Sequence, residues 1–344
     1  MQTIYSARHA GHSAHVELVA GAIVPAFEAP SRAEMIRARI ETVRLGPVVP
    51  PDDHPLDLAR RVHDPAFVDF FARAWDLWRA GGRDGPALPY CWPVPGLRRD
   101  LPPADIEGLL GFYSFDAAAP FVAGTWQAVR AAHDCALTAA RRVAEGEPAA
   151  FALCRPPGHH AHRSFAGGYC YLNNAALAAE FLRDSGLPRV AILDVDYHAG
   201  NGTQALFDDR GDVFYASIHA DPRVEFPYFL GHADERGSGD GEGTTLNIPL
   251  PHGTEWPAWE AALGRACDAV AGFGPAALVV SLGTDTFHAD PISRFRLDTP
   301  HYPLIGARIA GLGLPTVFVM EGGYAIEAIG VNAVGVLGGF AAAR

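Results

Sequence analysis

The feature of this sequence that most constrains its fold is a set of five short apolar runs, each followed by a polar or glycine-rich signature. Runs of this length and composition are typical of parallel strands that are buried on both faces of a sheet. Helical stretches lie between several of them, and such an alternation predicts an α/β fold with a central parallel sheet flanked by helices on both faces. The five runs are residues 149–154, 189–196, 212–219, 276–283 and 316–323.

The signatures after these runs indicate where a functional site lies. In chain order they read RPPGHH, DVDYHAGNG, SIHAD, GTDTF and EGGY. Because ligand sites in open α/β sheets are built at the carboxyl ends of the strands, five signatures at one edge predict one shared site. The predicted helices cover residues 125–146, 173–186, 256–274 and 299–313.

Two carboxylates and one imidazole in these signatures suit a divalent metal ion. Asp196 and His198 are two residues apart, and alternate side chains of a strand share a face, so we expect both to reach one metal. Asp285 follows another predicted strand in SLGTD. Three protein ligands leave a fourth position open for water, which is the arrangement of a catalytic zinc site.

A water activated by a metal ion also needs a general base and a donor to the oxyanion. The adjacent His159 and His160 fit the base role, and Asp194 and Asn201 are available to hold one imidazole each. A carboxylate partner raises the pKa of a histidine more than a neutral amide does. We therefore expect the Asp-paired histidine to be cationic and the Asn-paired histidine to take the proton. Tyr324, which follows two glycines, is the expected oxyanion donor.

Five other histidines are expected to have no catalytic role. His162 lies two residues beyond the tandem pair and is interpreted as a loop histidine without catalytic consequence. His219, at the end of a predicted strand, is interpreted as structural. His9, His12 and His15 are not expected to bind a metal, because they lack a carboxylate partner and a fixed scaffold.

The overall charge and the cysteines limit the function classes. A formal net charge of −12 argues against nucleic acid as a partner and is compatible with a cationic substrate. Five cysteines without a CxxC pair predict free thiols in a reducing compartment. No signal peptide and no apolar stretch of transmembrane length is recognised. We therefore expect a cytoplasmic protein with no membrane partner.

Residues 81–120 differ in texture from the rest of the chain. Proline, glycine and aromatic residues dominate this stretch, and it shows no long helical or strand period. So long an irregular segment inside a compact domain is usually functional or part of an interface. We expect its aromatic side chains to be covered, for example by a second subunit. The chain is otherwise interpreted as one domain spanning residues 1–344.

Several motifs together resemble the histone deacetylase superfamily. RPPGHH, GGYCYLNNAA, ILDVDYHAGNGTQ, SLGTDTF and MEGGY carry this resemblance over about residues 150–325. FEAPSRAEMI, RVHDPAFV, DIEGLLGFYSFD and GTWQA are similar to segments of one branch, the bacterial acetylpolyamine amidohydrolases. The resemblance implies an arginase/deacetylase-like fold. It also implies zinc-dependent hydrolysis of N-acetylated polyamines to acetate and the free amine.

The resemblance also implies a role for each matching position. His160 would be the general base with Asn201 as its partner, and His159 the second histidine, paired with Asp194. Tyr324 would be the oxyanion donor. The zinc ligands would be Asp196, His198 and Asp285, with ferrous iron as an alternative native metal. A structural potassium ion would be held, largely through carbonyl groups, at Asp194, Asp196, His198 and Ser217.

Substrate selection is also implied by the resemblance. Tyr169 and Phe226 would form walls of a substrate tunnel, with Gly168 shaping the wall beside Tyr169. Residues 81–120 match an insertion that, in the polyamine branch, helps to form a homodimer and narrows the entrance. Glu107 and Asp116 in this insertion would attract the distant ammonium groups of a small cationic acetylated amine.

Two departures from the family pattern and three alternatives accompany this interpretation. Ala199 stands where the family usually has a second histidine, and Thr284 replaces a more usual apolar residue and is expected to hydrogen-bond locally. An alternative substrate class is acetyl-lysine or another small amide. A binuclear hydrolase of the arginase type is less expected, because Gly200 stands where a further aspartate would be needed. A non-catalytic scaffold would not need the base and the oxyanion donor.

Overall fold

The computed structural model describes residues 1–19 and 21–344, and its centre is a parallel sheet. The strands are β1 (Gln2–Ile4), β2 (Val16–Val19), β3 (Ala22–Pro25), β4 (Val48–Val49), β5 (Ala149–Ala152), β6 (Val190–Asp194), β7 (Val213–Ala220), β8 (Thr245–Leu250), β9 (Ala277–Leu282) and β10 (Thr316–Met320). In the central sheet the strand order is β4-β1-β5-β10-β9-β6-β7-β8, and its pairings are parallel. Strands β2 and β3 form a separate antiparallel hairpin.

The helices cover both faces of this sheet. They are α1 (Ser31–Val43), α2 (Ala59–Val62), α3 (Pro65–Ala80), α4 (Ile106–Phe112), α5 (Thr125–Ala144), α6 (Asn174–Asp184), α7 (Asn201–Phe207), α8 (Trp256–Phe273), α9 (Tyr302–Ala310) and α10 (Ile326–Ala343). The helix ends follow local chemistry. The side chain of Asn173 accepts from the Ala176 N–H at the start of α6, and Gly274 ends α8 in the left-handed conformation.

The sheet separates two apolar cores, and its strands supply alternate residues to each. Ile192 of β6 packs into the core that contains α3, α5 and α6. Its neighbour Leu193 packs into the core that contains α1, α8, α9 and α10. Because both faces are covered, β5, β6, β7, β9 and β10 are buried along their whole length. The predicted α/β fold with a central parallel sheet is confirmed.

The C-terminal helix α10 corrects one expectation from the sequence. By length and composition alone it is apolar enough to cross a membrane, although no such stretch was recognised. The helix packs against α1 and α9, and its buried residues, which include Ile329, Val336 and Leu337, belong to one of the two cores. A helix that is buried in the core of a globular protein can meet the same criteria of length and apolar composition as a membrane-spanning helix.

Residues 81–120 are largely irregular, as predicted, but they contain the short helix α4. Part of the aromatic content packs within the chain: Tyr113 is buried and stacks on Phe70 of α3, with ring centroids 4.9 Å apart. Tyr90 in contrast is 69% exposed. Within a single chain Tyr113 is therefore covered, whereas Tyr90 is left exposed for the predicted contact with a second subunit.

Candidate active site

The carboxyl ends of five strands surround one cavity of about 560 Å³. Four of the five predicted signatures follow one of these strands, whereas SIHAD forms the end of β7 itself. The segments after β5, β6, β7, β9 and β10 contribute His160, His198, Phe226, Ile292 and Tyr324 to its lining. The prediction of one shared site therefore holds for four of the five signatures: RPPGHH, DVDYHAGNG and EGGY line the cavity, and GTDTF supplies Asp285 next to Asp196 and His198. No residue of SIHAD is among the lining residues.

Asp196, His198 and Asp285 form a buried cluster beside this cavity. One ligating atom from each residue lies within 4.8 Å of the other two. Asp196 and His198 are not on a strand face as the sequence suggested, because β6 ends at Asp194. The loop after β6 is shaped instead by side-chain acceptors: Asp194 Oδ1 accepts from the Asp196 N–H at 3.1 Å, and Asp196 Oδ1 accepts from the His198 N–H at 2.9 Å.

The donor set of this cluster fits a divalent metal ion. Asp196 Oδ2 accepts from the Gly322 N–H at 2.8 Å, and Asp285 Oδ1 accepts from the Tyr197 N–H at 3.0 Å. His198 Nδ1 lies 3.1 Å from Asp285 Oδ2. Burial and the adjacent Asp196 raise the pKa of Asp285 to about 6. Two buried carboxylates with one imidazole would be stabilised by a cation, and this set of oxygen and nitrogen donors suits zinc.

The tandem histidines have different partners. His159 Nδ1 lies 3.0 Å from Asp194 Oδ2, and His160 Nδ1 lies 2.6 Å from Asn201 Oδ1. Burial alone would lower the pKa of His159, but the carboxylates of Asp196 and Asp194 outweigh it and raise this pKa to about 10. Burial and the charges of its histidine neighbours hold the pKa of His160 well below its usual range. Both directions agree with the predicted division between a cationic and a neutral imidazole.

Tyr324 lines the cavity at the end of the EGGY segment. Its backbone N–H donates to Asp290 Oδ2 at 2.6 Å, and the Arg32 guanidinium lies 4.6 Å from its ring centroid. Burial raises the pKa of Tyr324 well above its ordinary value, so the hydroxyl stays a neutral donor. Gly323 has φ +125°, and a Cβ there would lie 2.1 Å from Thr284 Oγ1. The turn before Tyr324 therefore requires glycine.

Glu321 is a buried residue of the site that reasoning from the sequence missed. Its Oε2 accepts from the backbone N–H groups of Gly158 and His159, at 2.7 and 3.1 Å. The carboxylate thus ties the loop after β5 to the loop after β10. The available signal was an acid directly at the end of a buried apolar run, where an unpaired charge would be costly.

Tyr169, Phe226 and Gly168 line the cavity, as the resemblance implies. The Tyr169 hydroxyl donates to Glu17 Oε1 at 3.1 Å, a contact from the β2 strand that was not expected. The Phe226 ring meets the His160 ring edge-on, with centroids 5.0 Å apart. Gly168 has φ +52°, and a Cβ there would lie 2.4 Å from His160 Cδ2. The absence of a side chain at position 168 therefore leaves room for the His160 ring.

The two acids expected to attract a cationic substrate differ in position. Glu107 is held by Arg83 and by the Tyr90 hydroxyl, and it is not among the lining residues, so within one chain it does not face the cavity. Asp116 lines the cavity and accepts from the Ala118 and Gly168 N–H groups, both at 2.8 Å. Burial raises the pKa of Asp116 to about 6.

Glu225 is a further acid that lines the cavity, and the sequence did not single it out. It accepts from the Tyr197 hydroxyl at 2.7 Å and lies 3.1 Å from His252 Nε2.

Two of the residues that the resemblance implies for a potassium site lie on neighbouring strands. Ser217 in β7 lies in register with Asp194 in β6, and its hydroxyl is 2.7 Å from His219 Nδ1.

The remaining histidines correct one expectation and add one contact. His162 Nε2 lies 2.9 Å from Asn201 Nδ2. His9 and His12 do have carboxylate neighbours: His9 Nε2 lies 3.0 Å from Glu34, and His12 Nε2 lies 3.8 Å from Glu28. Among the described residues, the one group with metal-ligand geometry is nevertheless the Asp196 cluster.

His219 and the two departures from the family pattern have local packing roles. His219 Nε2 lies 2.8 Å from the Gly231 carbonyl oxygen, which fits a structural histidine. Ala199 is buried against Gly231, where a Cβ would come within 2.6 Å of the alanine methyl group. The Thr284 hydroxyl is buried and has no hydrogen-bond partner among residues 1–19 and 21–344, so the expected local hydrogen bond of Thr284 is not formed.

Comparisons with known proteins agree with this geometry. Residues 26–339 match the model of the histone deacetylase domain. The chain is 55% identical over 341 residues to acetylpolyamine amidohydrolase 1 of Pseudomonas aeruginosa, covering 99% of both chains. It is 48% identical over 343 residues to acetylpolyamine amidohydrolase of Mycoplana ramosa, covering 99% of this chain and 100% of the relative.

A solved structure gives the same result for the fold. The crystal structure of acetylpolyamine aminohydrolase from Burkholderia pseudomallei matches this chain with a TM-score of 0.95 and 38% sequence identity. The match covers 100% of this chain and 99% of the other.

Proposed function

The chain belongs to the histone deacetylase family of amide hydrolases, and from this premise we propose that it hydrolyses N-acetylated polyamines to acetate and the free amine. The observation that carries the proposal is the buried Asp196, His198 and Asp285 cluster beside two histidines with different partners. Relatives that cover almost the whole of both chains are named for this activity.

Asp196, His198 and Asp285 would hold the catalytic metal, with Zn²⁺ as the proposed ion and ferrous iron as the alternative. When bound, such an ion supplies Lewis acidity at the amide carbonyl and lowers the pKa of a water molecule. A potassium ion is proposed next to this cluster, where Asp194 and Ser217 lie in register on neighbouring strands. Carbonyl oxygens of this region would supply most of its ligands.

His160 is the proposed general base. When its Nδ1–H donates to Asn201 Oδ1, Nε2 is unprotonated and can accept a proton from water. The same nitrogen then returns this proton to the amine that leaves. His159, paired with Asp194, stays cationic and stabilises negative charge. The neutral Tyr324 hydroxyl donates to the oxyanion that develops on the acetyl group.

The substrate would be a thin cationic chain. Tyr169 and Phe226 form walls that would accept an aliphatic chain. Asp116 and Glu225 place acidic groups on the same cavity, and the whole chain has a net charge of −12. These two acids outnumber the one arginine of the lining, Arg294, and favour a ligand that carries ammonium groups beyond the reacting amide.

A substrate panel tests the proposal. The purified enzyme, loaded with a defined metal, is assayed on acetylputrescine, acetylspermidine and an acetyl-lysine peptide. We expect higher kcat/KM for the acetylpolyamines. Equal or faster turnover of the peptide would contradict the polyamine assignment and favour a deacylase of acetyl-lysine. Two catalytic ions per chain in a metal analysis would instead favour a binuclear hydrolase.

Two substitutions test the mechanism. His160→Ala and Tyr324→Phe are each expected to lower kcat about 10²-fold or more while the bound metal is retained. His15→Ala removes an exposed histidine that does not line the cavity and serves as the matched control. Near-full activity of either site variant would exclude the proposed roles.

A further inference from the structure

His162 contacts the amide that holds the proposed general base. Asn201 begins α7, is buried, and lies between two histidines. Its Oδ1 is 2.6 Å from His160 Nδ1, and its Nδ2 is 2.9 Å from His162 Nε2. The three side chains therefore form a continuous hydrogen-bonded chain that ends at the cavity.

An asparagine side chain has one accepting end and one donating end, so its neighbour at one end decides which group faces the other. When His162 Nε2 accepts the Nδ2–H, Oδ1 must face His160 and receive its Nδ1–H. His160 Nε2 then carries a free lone pair. The reversed amide would present its NH₂ group to His160 Nδ1. That arrangement places the imidazole proton on Nε2, where the base could no longer accept one.

The His162 ring is held in place by its surroundings. It stacks on the Phe165 ring, with centroids 4.5 Å apart and planes at 30°, and meets Phe115 edge-on at 5.9 Å. Its backbone N–H donates to the Phe165 carbonyl at 3.0 Å, and its carbonyl oxygen lies 2.7 Å from His63 Nδ1. Burial lowers the pKa of His162 to about 4, so near neutral pH the ring is uncharged and Nε2 can accept.

We propose that His162 is a positioning residue that orients the Asn201 amide and thereby fixes the tautomer in which His160 can take a proton. This inference rests on the proposed function, in which His160 is the general base. It gives a role to His162, the third histidine of the sequence GHHAH. The tandem pair alone does not determine which end of Asn201 faces His160, because the two orientations of an amide have nearly the same shape.

Substitutions at position 162 separate the hydrogen bond from the packing. His162→Leu replaces the ring with an apolar side chain that has no acceptor, and we expect kcat to fall about 10-fold with KM changed less than about 2-fold. His162→Gln offers an amide oxygen that can accept the Nδ2–H, and we expect it to restore most of kcat. Full activity of the Leu variant, or equal losses in the Leu and Gln variants, would overturn the inference.

A second set of variants, built on Asn201→Asp, distinguishes an effect of His162 on the orientation of the Asn201 amide from a general effect on the fold. In Asn201→Asp both ends of side chain 201 accept hydrogen bonds, so no wrong orientation exists. Whatever the activity of that variant, adding His162→Leu is expected to change its kcat less than about 2-fold, in contrast to about 10-fold in the Asn201 background. Equal losses in both backgrounds would mean that His162 only supports the fold.

A spectroscopic readout needs no variant and covers the case in which the Leu variant fails to fold. Nitrogen-15 shifts of the histidines in the zinc-loaded wild-type enzyme report which ring nitrogen carries the proton. We expect neutral His160 with its proton on Nδ1, and a proton on Nε2 would overturn the inference. Failure of the proposed function looks different, because His160→Ala would then remain active. If His160→Ala is inactive and His162→Leu is fully active, the inference alone fails.

Discussion

Glu28 is a buried carboxylate that holds two arginines behind the site. Its Oε1 lies 2.9 Å from Arg32 Nη1, and its Oε2 lies 2.9 Å from Arg155 Nη2. All three side chains are almost fully buried. Arg32 also donates to the carbonyl oxygen of Gly323, in the turn that presents Tyr324. The charge of Glu28 therefore stabilises the turn that carries the proposed oxyanion donor.

Removing this charge is expected to destabilise the protein strongly. Glu28→Gln leaves two buried guanidinium groups without a counter-charge, which costs about 3–5 kcal/mol in the free energy of unfolding. Urea unfolding at pH 7 measures the loss. Glu41→Gln, which breaks the exposed pair with Arg37, is the control and is expected to cost less than about 1 kcal/mol. A loss for Glu28→Gln no larger than that of the control would contradict the interpretation.

The stabilisation that Glu28 gains from its two arginines depends on pH. Burial alone would raise the pKa of Glu28, but Arg155 and Arg32 outweigh it and lower this pKa below its ordinary value of 4.5. A carboxylate with a lowered pKa in the folded state contributes its full stabilisation above the unfolded pKa. That contribution is lost as the pH falls through the folded pKa. The stability difference between wild type and Glu28→Gln should therefore shrink in acid.

The histidines and aspartates of the candidate site could be located from the sequence because each lies at or shortly after the end of an apolar run. Which hydrogen-bond partner each of the two tandem histidines has could not be derived in that way. Either tandem histidine could have paired with Asp194, and only the resemblance favoured His159. Glu321 was missed because its partners, the Gly158 and His159 N–H groups, are distant in sequence. Glu28 was missed although Arg32 follows it by four residues, because that spacing alone does not indicate burial and its second partner, Arg155, is distant in sequence. A buried ion pair between distant residues leaves no local pattern.

At the scale of elements, the crossing of α9 and α10 depends on glycine. A Cβ at Gly339 would lie 2.0 Å from the Pro303 carbonyl oxygen, and a Cβ at Gly306 would lie 1.9 Å from the Val336 carbonyl oxygen. No methyl group fits at either position, so the two helix backbones approach more closely than most side chains allow. The neighbouring Gly338 has no atom within 4 Å of its would-be Cβ.

Two adjacent substitutions in α10 test this crossing. Gly339→Ala forces the helices apart and is expected to lower the free energy of unfolding by about 1–3 kcal/mol or more. Gly338→Ala relieves the entropic cost of glycine in a helix without a clash, and is expected to stabilise by about 0.5–1 kcal/mol. Thermal and urea unfolding of the two variants would give opposite signs. A stabilising Gly339→Ala would show that the helices do not approach this closely.

The longer buried elements could be predicted and the edges of the sheet could not. β5, β6, β7, β9 and β10 have continuous apolar runs because helices cover both of their faces. β1 and β4 have only three and two residues, too few to establish a period. The alternation of Asp194, Asp196 and His198 was attributed to a strand. It belongs to a loop in which each carboxylate accepts from a backbone N–H two residues on.

For the whole molecule, the irregular segment 81–120 presents several exposed apolar side chains. Tyr90, Leu97 and Leu101 are 69%, 57% and 61% exposed. Exposed apolar side chains clustered in one segment are typical of a surface that associates with another protein. A homodimer through this segment remains the prediction that the resemblance implies. Such a contact would also determine whether the Glu107 of a partner subunit faces the cavity.

Charge substitutions test the association. The double variant Leu97→Glu, Leu101→Glu places two carboxylates on this surface and is expected to convert a dimer into monomers, because buried unpaired charges are costly. Light scattering after size-exclusion chromatography measures the molar mass. Leu304→Glu changes an exposed leucine of α9 and is the control, with no expected change. A monomeric wild type, or a dimeric double variant, would contradict the predicted interface.

The net charge of −12 is expected to make the capture of a cationic substrate sensitive to salt. Raising the ionic strength from about 0.01 M to about 1 M shortens the Debye length from about 30 Å to about 3 Å and screens the attraction of a cation. We therefore expect kcat/KM for acetylputrescine to fall several-fold over this range. N-butylacetamide has the same amide and chain without the ammonium group and should respond little. Equal salt responses of the two substrates would show that the acidic residues around the cavity do not select for charge.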